Sequence, residues 1–184
     1  TKKKHRAGFV NIIGNPNVGK STLMNALVGE KLSIVTAKAQ TTRHRIMGIV
    51  NGDDYQIVYS DTPGILKPNY RLQKSMMNFV DTAIGDADII LYVTDTVEKG
   101  DKNDEYISKL QKIDCPVILV INKIDISSQE QVLELMNWWK EQLPKAIIFP
   151  ASAQEKFNLD NIFDAIVANL PEAPAWYDKD VFTD

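Results

Sequence analysis

The chain has 184 residues, of which 44% are hydrophobic and 24% are charged, and its formal net charge is −3. This length fits about one domain of ~150 residues with the composition of an ordinary soluble protein. The small negative charge excludes a globally basic nucleic-acid-binding protein. No apolar run approaches the ~18 residues of a membrane span. We therefore expect a cytoplasmic globular protein without a transmembrane segment, although peripheral membrane association stays open.

The predicted domain organisation begins with a basic tail over residues 1–7, which contains the run Lys2-Lys3-Lys4-His5-Arg6. This tail has two interpretations, a solvated disordered terminus and a weak phosphate-contacting arm. One domain is predicted over residues 8–171. After Pro171 the periodic pattern stops, and residues 172–184 are predicted to be an extended linker.

Short apolar runs rich in branched residues alternate with helical stripes, which is typical of an α/β fold with a mainly parallel sheet. Six strands are predicted, at residues 9–13, 46–50, 55–59, 89–93, 117–121 and 147–149. The pair Asn51-Gly52 lies between the second and third strands and favours a tight hairpin turn. The sequence therefore predicts one antiparallel edge strand in an otherwise parallel sheet.

Three helices are predicted from apolar residues spaced at i, i+3, i+4 and i+7. Their stripes are Met76, Phe79, Val80 and Ala83; Val132, Met136, Trp139 and Leu143; and Leu159, Ile162, Phe163, Ile166, Val167 and Leu170. Pro144 and Pro171 end the last two helices. The predicted architecture is a three-layer α/β fold with helices on both faces of a six-stranded sheet.

Residues 14–21 read Gly-Asn-Pro-Asn-Val-Gly-Lys-Ser and match G-x-x-x-x-G-K-[ST] between a predicted strand and a predicted helix. The backbone N–H groups of such a loop wrap a phosphate chain. Lys20 would neutralise the β- and γ-phosphates, and Ser21 would ligate Mg²⁺. The alternative is a glycine turn with an incidental lysine. The predicted ligand-binding residues here are Asn15, Pro16, Asn17, Val18, Gly19, Lys20, Ser21 and Thr22.

A second motif, Asp61-Thr62-Pro63-Gly64, directly follows a predicted strand. At the carboxyl end of a strand, Asp61 can orient the Mg²⁺ shell through water, and the Gly64 N–H can meet the γ-phosphate. The alternative is a simple turn, because a Pro-Gly pair forms one by itself.

The third motif is Asn122-Lys123-Ile124-Asp125, which follows the strand at 117–121. Guanine carries N1 and N2 donors that adenine lacks, and the Asp125 carboxylate can accept both. Asn122 can brace the loop and approach the N7 side, while the Lys123 stem can lie over the base. The alternative is a charged turn. Because the three motifs occur in order at predicted strand ends, they favour a guanine-nucleotide site over an ATP site.

These motifs, with Ala39-Gln40-Thr41-Thr42-Arg43-His44-Arg45 and Ala151-Ser152-Ala153, resemble the Era-type ribosome-assembly GTPases of the Ras-like P-loop superfamily. The resemblance extends from residue 9 to about residue 170. It implies that Thr42 ligates Mg²⁺ in the GTP state, and that residues 31–42 and 64–75 are switch loops ordered by the γ-phosphate. It also implies that the backbone of Ser152 and Ala153 contacts the guanine carbonyl.

Ile65 stands where Ras-type enzymes carry a water-orienting glutamine, so intrinsic GTP hydrolysis should be slow. In GTPases similar to this one, the asparagine at the position of Asn17 helps to seat K⁺ beside the phosphates. The resemblance therefore adds K⁺ to Mg²⁺ and GTP or GDP as predicted ligands. The predicted catalytic residues are Lys20, Thr42, Gly64 and Asn17.

The resemblance implies a GTP-hydrolysing switch that acts in small ribosomal subunit assembly and rRNA maturation. In that family a carboxy-terminal KH domain contacts RNA, and it is expected to be missing from this chain. Two alternatives stay open. One is another GTPase of the same clan, either the double-domain ribosome GTPase or the tRNA-modification GTPase. The other is a nucleotide-dependent scaffold with negligible catalysis.

Overall fold

The computed structural model describes residues 4–15, 17–28, 32–33, 45–61, 85, 87–98 and 103–177. The strands are β1 Arg6–Ile13, β2 Leu32–Ser33, β3 Arg45–Asn51, β4 Tyr55–Asp61, β5 Ile89–Asp95, β6 Val117–Asn122 and β7 Ile147–Pro150. The helices are α1 Lys20–Val28, α2 Asp104–Leu110, α3 Gln129–Gln142 and α4 Leu159–Asn169, and a short 3-10 turn covers Ile124–Ile126.

The strands form one sheet in the order β2-β3-β4-β1-β5-β6-β7. The pairs from β4 through β1, β5 and β6 to β7 are parallel, whereas β3 is antiparallel to both β4 and β2. The predicted α/β fold, with six strands of which one is antiparallel, is confirmed. The described residues add the two-residue strand β2 outside β3. It is too short to leave a period-2 pattern in the sequence.

Helices pack on both faces of this sheet and create two apolar layers. Strands β5 and β6 are buried over their whole lengths because nearly every residue in them is apolar and meets a helix on one face or the other. One layer joins α1 and α4 to β1 and β4, with Leu23 and Ile162 at its centre. The other joins α2 and α3 to β5 and β6 and includes Trp139, whose ring lies edge-on to Tyr92 at 5.5 Å.

The predicted helices α3 and α4 are confirmed, and so is the helix predicted at the end of the motif over residues 14–21, which is α1. Helix α3 begins with a capping box, in which the Ser128 hydroxyl accepts a hydrogen bond from the Gln131 N–H at 3.2 Å, and the Gln131 side chain accepts one from the Ser128 N–H at 3.3 Å. The predicted helix at residues 76–83 lies outside the described residues. Among the helices that are described, none is long and apolar enough to cross a membrane.

Strand β1 begins at Arg6, two residues before the predicted domain boundary, because Arg6 and Ala7 pair with β4, and the chain beyond α4 also contacts this end of β1. Arg6 and Glu172 form an antiparallel bridge, and the Ala7 N–H donates to the Pro171 carbonyl at 3.1 Å. The Arg6 guanidinium donates to the Leu170 carbonyl at 2.8 Å at the carboxyl end of α4. A cation at this position satisfies terminal carbonyls and interacts favourably with the helix dipole.

The described part of the predicted linker packs against the sheet. Trp176 lies edge-on to Phe9 with ring centroids 5.3 Å apart, and the Tyr177 N–H donates to the Gln56 side chain at 3.0 Å. Residues up to 177 therefore belong to the folded unit. The assignment of residues 172–184 as a connection to another domain stays a prediction.

Candidate functional site

The three sequence motifs meet at one edge of the sheet, because each follows the carboxyl end of a parallel strand. In the parallel register Ile12 lies beside Asp61, and Asp95 lies beside Asn122. Gly14 directly follows the end of β1. Ligands of open α/β sheets bind in the crevice outside the carboxyl ends of the strands. The topology therefore places the described residues of 14–21, Asp61 and residues 122–125 around one crevice.

The phosphate loop, residues 14–21, needs glycine at both of its glycine positions. Gly14 has φ +151° and Gly19 has φ +89°, conformations that side chains disfavour. A Cβ on Gly14 would lie 2.4 Å from the Val93 carbonyl oxygen, and a Cβ on Gly19 would lie 2.4 Å from Asn122 Nδ2. The backbone of the loop therefore sits directly against β5 on one side and against Asn122 on the other.

Helix α1 begins within this loop at Lys20, and the Leu23 N–H donates to the Gly19 carbonyl at 2.9 Å. The unpaired N–H groups of a first helical turn and the helix dipole favour an anion at this position. The Lys20 side chain runs back along the loop, since its Cδ lies 3.6 Å from the Cβ position of Gly14. Ser21 and Thr22 are exposed in the first turn. The loop can thus present N–H donors, one ammonium and two hydroxyls to a phosphate chain.

Asn122, the last residue of β6, joins two loops through its side chain, a link that we call the Asn122 clasp. Its Nδ2 donates to the Val18 carbonyl at 2.9 Å, and its Oδ1 accepts from the Ala153 N–H at 3.0 Å. The side chain is 3% exposed, so both bonds lie in a dry environment where an unpaired amide would be costly. Asn122 therefore fixes the phosphate loop relative to the loop that contains Ser152 and Ala153.

Lys123 is a second brace. Its ammonium donates to the Asn17 carbonyl at 2.6 Å and forms an ion pair with Asp95 at 2.9 Å. The Asp95 side chain is only 3% exposed, and it also accepts the N–H groups of Val97 at 2.9 Å and Glu98 at 2.8 Å. A buried carboxylate is tolerated when it is paired in this way. Asn17 itself is exposed, with φ +71°.

Asp125 is exposed at the rim of the crevice, and Ser152 orients its carboxylate. The Ser152 hydroxyl donates to Asp125 Oδ1 at 2.9 Å and accepts from the Glu155 N–H at 3.1 Å. Ser152 is 1% exposed and lies on a short bridge with Phe157. Because these bonds fix the Ser152 hydroxyl, the Asp125 carboxylate is held in one orientation, as recognition of a base edge requires.

Comparison with known protein families identifies the family of this chain. Residues 9–123, which contain the phosphate loop and the start of the third motif, match the model of the family described as 50S ribosome-binding GTPase. The chain belongs to this GTPase family. The match covers β1 through β6 and thus most of the sheet.

Other members of this GTPase family that are named Era resemble almost the whole chain. The chain is 44% identical over 183 residues to the GTPase Era of Heliobacterium modesticaldum, covering 99% of this chain and 61% of the relative. It is 44% identical over 180 residues to the GTPase Era of Clostridium botulinum, covering 97% of this chain and 61% of the relative. The chain thus spans about three fifths of the length of the curated relatives it matches.

Two solved Era structures have the same fold. A variant of Aquifex aeolicus Era bound to GDP and AlF₄⁻ has a TM-score of 0.76 at 39% identity, covering 97% of this chain and 62% of that one. Era in complex with MgGDPNP and nucleotides 1506–1542 of 16S ribosomal RNA has a TM-score of 0.76 at 38% identity, covering 96% and 61% of the two chains.

Part of the predicted GTPase site lies outside the described residues. This holds for Pro16, Thr42, Gly64 and Ile65, for the predicted switch loop 64–75, and for the predicted switch loop 31–42 apart from residues 32–33, which form β2. Asp61 is described only as the last residue of β4, without its side chain. The roles assigned to these residues in nucleotide and Mg²⁺ binding therefore stay predictions.

Sequence reasoning overlooked Asp95, which the structure brings to the GTPase site through Lys123. The signal was present, because Asp95 is an acidic residue at the carboxyl end of a buried parallel strand, as Asp61 is. It was passed over because no motif of fixed spacing contains it. The predicted placement of the Lys123 stem over the base stays a prediction, and the structure adds that the Lys123 ammonium contacts the Asn17 carbonyl and Asp95.

Proposed function

We propose that this chain is the nucleotide-binding domain of a switch that binds GTP with Mg²⁺ and hydrolyses the nucleotide slowly. The observation that carries this proposal is the clasp by Asn122, which joins a phosphate-binding loop to the loop that orients Asp125. A phosphate site and a guanine-selective carboxylate are thus held in a fixed relation. Neither feature alone would distinguish a guanine nucleotide from another phosphate compound.

In this proposal each described residue has one task. The N–H groups of residues 14–21 and the start of α1 hold the phosphates, and Lys20 neutralises charge that develops on them. Asp125 accepts the N1 and N2 donors of guanine, while the backbone of Ser152 and Ala153 contacts the guanine carbonyl. Lys123 and Asn122 keep these groups in place, so that the site does not have to reorganise when the nucleotide binds.

The oxygen donors of the site fit Mg²⁺. Ser21 exposes a hydroxyl in the first turn of α1, and β4 ends at Asp61 beside the phosphate loop. The part of the chain that the structure describes has no group of three or more His, Cys, Asp or Glu that could hold a metal. Ser21 and Asp61 suit Mg²⁺, which is usually bound by one or two protein oxygens together with phosphates and water. When bound, Mg²⁺ would neutralise negative charge on the phosphates.

The first test is nucleotide competition followed by turnover in K⁺ and Na⁺ buffers. We expect GTP and GDP to displace a fluorescent guanine nucleotide and ATP to fail. Phosphate release should be slow, because Ile65 cannot hydrogen-bond a water, and faster in K⁺ because the exposed Asn17 side chain can help to seat that ion. Asn17→Ala should then remove the difference between K⁺ and Na⁺.

Each arm of this test has its own contrary result. If no phosphate is released in a single turnover with Mg²⁺ and K⁺, the chain is a nucleotide-dependent scaffold rather than an enzyme. Equal rates in K⁺ and Na⁺ would remove K⁺ and the catalytic role of Asn17, while leaving GTP hydrolysis intact. Displacement by ATP would contradict the role of Asp125.

We further propose that the full protein acts in the cytoplasm in small ribosomal subunit assembly and contacts rRNA mainly through a carboxy-terminal KH domain. The support is the 44% identity to proteins named GTPase Era and the likeness to an Era structure that contains 16S rRNA. The net charge of −3 gives this chain no overall attraction to phosphate backbones.

We expect the full-length protein to bind an RNA fragment from the 3′ end of 16S rRNA in the presence of a GTP analogue, and this chain to bind it at least about a hundredfold more weakly. The measurement is fluorescence anisotropy at fixed salt, with a scrambled RNA as the control. Equal affinity of the two proteins would contradict the KH assignment. Equal affinity for both RNAs would contradict the rRNA role.

A further inference from the structure

A polar cluster, which we call the Glu98 cluster, lies between the phosphate loop, strand β5 and helix α2. It consists of Asn15, Tyr92, Thr94, Glu98 and Asn103. Glu98 Oε2 accepts from Asn15 Nδ2 at 3.1 Å, and Oε1 accepts from Asn103 Nδ2 at 2.9 Å and from the Thr94 hydroxyl. The Tyr92 hydroxyl donates to Asn103 Oδ1, which Asn15 Nδ2 also approaches at 3.3 Å.

Three members of this cluster are buried, Asn15 and Glu98 are half-buried, and the five side chains bond to one another. Tyr92, Thr94 and Asn103 are at most 1% exposed, and burial of Tyr92 raises the pKa of its phenol, so the hydroxyl stays a donor. Asn103 is the N-cap residue of α2, yet its side chain makes no capping hydrogen bond. An asparagine at that position normally caps the helix. Here the Asn103 side chain bonds to Glu98, Tyr92 and Asn15 instead. These hydrogen bonds replace the capping bond that the helix would otherwise receive.

The cluster reaches the phosphate loop at Asn15, the residue after Gly14. Lys123 holds the same loop at Asn17, two residues further on. Both contacts with the phosphate loop depend on the turn over residues 95–98, directly after β5. Asp95 forms an ion pair with Lys123, and it also accepts the backbone N–H of Glu98 at 2.8 Å. The turn over residues 95–98 therefore holds the phosphate loop at two points on either side of residue 16.

We propose that Glu98 is a positioning residue for the phosphate loop and acts through Asn15. The inference rests on the proposed function, since it assigns Glu98 a role in nucleotide binding. Hydrogen bonds to an ionised carboxylate are stronger than those between neutral groups. They hold Asn15 in place before the nucleotide arrives, so the loop N–H groups need no reorganisation to meet the phosphates.

A purely structural role is the competing explanation, and electrostatics separates the two. A carboxylate close to a loop that binds phosphate opposes anion binding unless hydrogen-bond donors offset its negative charge. Glu98 has three side-chain donors, two of which, Thr94 and Asn103, lie outside the loop. If the role of Glu98 were only to accept hydrogen bonds from Thr94 and Asn103, its removal would weaken the fold and leave nucleotide affinity unchanged or improved. If it positions the loop, its removal lowers affinity.

The test uses Asn15→Ala, Glu98→Ala, the double variant and the control Glu105→Ala. The control removes the same charge from an exposed position in α2. We would measure the dissociation rate of a fluorescent GDP analogue, the Kd for GTP and the melting temperature without nucleotide. Each single variant should release GDP about tenfold faster, the effect of losing one charge-assisted hydrogen bond. The double variant should be no more than about twofold worse than either single variant, because both remove the same bond.

The positioning role is contradicted if Asn15→Ala releases GDP at the wild-type rate, or if the double variant multiplies the single effects to about a hundredfold. It is also contradicted if Glu98→Ala lowers the melting temperature without changing GDP release. Should Glu98→Ala fail to fold, Glu98→Gln takes its place, since an amide oxygen can still accept from Thr94 and Asn103 while the amide nitrogen meets the Asn15 donor. Wild-type GDP release by a folded Glu98→Gln would contradict the positioning role. A wild-type protein that binds no GDP would instead refute the proposed function.

Discussion

Asp125→Asn is expected to abolish the preference for guanine nucleotides and to weaken GTP binding about thousandfold. The substitution replaces an acceptor oxygen with an amide that faces the N1 and N2 donors of guanine, so donors meet donors. Xanthosine triphosphate carries a carbonyl where guanine carries its 2-amino group, and the new amide can donate to it. The variant should therefore bind xanthosine triphosphate better than GTP in a competition experiment.

This reversal separates lost recognition from lost folding, since an unfolded variant would bind neither nucleotide. The Ser152 hydroxyl donates to Asp125 Oδ1 at 2.9 Å, and an asparagine oxygen can accept the same bond. Asp53→Asn is a matched control, because Asp53 is exposed in the β3–β4 turn at the opposite edge of the sheet. A variant at 125 that still prefers GTP to xanthosine triphosphate would refute the assigned role.

Gly14→Ala is expected to weaken nucleotide binding about a hundredfold and to lower the stability of the fold by about 1–3 kcal/mol. The new Cβ would lie 2.4 Å from the Val93 carbonyl oxygen, and φ at this position is +151°. Val93 belongs to the fully buried strand β5, so its backbone has no room to yield. The phosphate loop must therefore move away from β5, which displaces its N–H groups from the phosphates.

Gly85→Ala provides the control, because Gly85 is exposed and a Cβ there meets nothing within 4 Å. It should leave nucleotide affinity unchanged and raise stability by about 0.5–1 kcal/mol. Calorimetric melting and GDP titration on both variants are the measurements. If Gly14→Ala binds GDP as tightly as the wild type, the close approach of the loop to β5 does not constrain the site.

The sequence predicted the centre of the sheet well because β5 and β6 are buried on both faces and therefore read as continuous apolar runs. For β5 and β6 the predicted runs at 89–93 and 117–121 stop only one or two residues before the observed ends at Asp95 and Asn122. Strand β2 could not be predicted in this way. Its two residues form a strand only because Leu32 lies opposite Val50 and Ser33 lies opposite Ile49.

The sequence predicted which residues belong to the candidate site but not which residues they contact. Fixed spacings identified Asn122 and Lys123 as ligand-site residues, yet their partners Val18 and Asp95 depend on which strands are neighbours in space. Glu98 belongs to no motif at all. Its role depends on a turn after β5 that faces the phosphate loop only because β5 pairs with β1 in the folded sheet.

The Asn122 clasp also sets a time at which the site can first exist during synthesis. Its partner Val18 is 104 residues earlier in the chain, and its partner Ala153 is 31 residues later. At about 5–20 residues per second, a ribosome needs roughly 7 to 27 seconds to pass from the phosphate loop to the last of these three residues. Throughout that interval the phosphate loop exists without the complete set of Asn122 hydrogen bonds that fixes its position. A nascent chain therefore becomes able to hold nucleotide only after Ala153 has been synthesised.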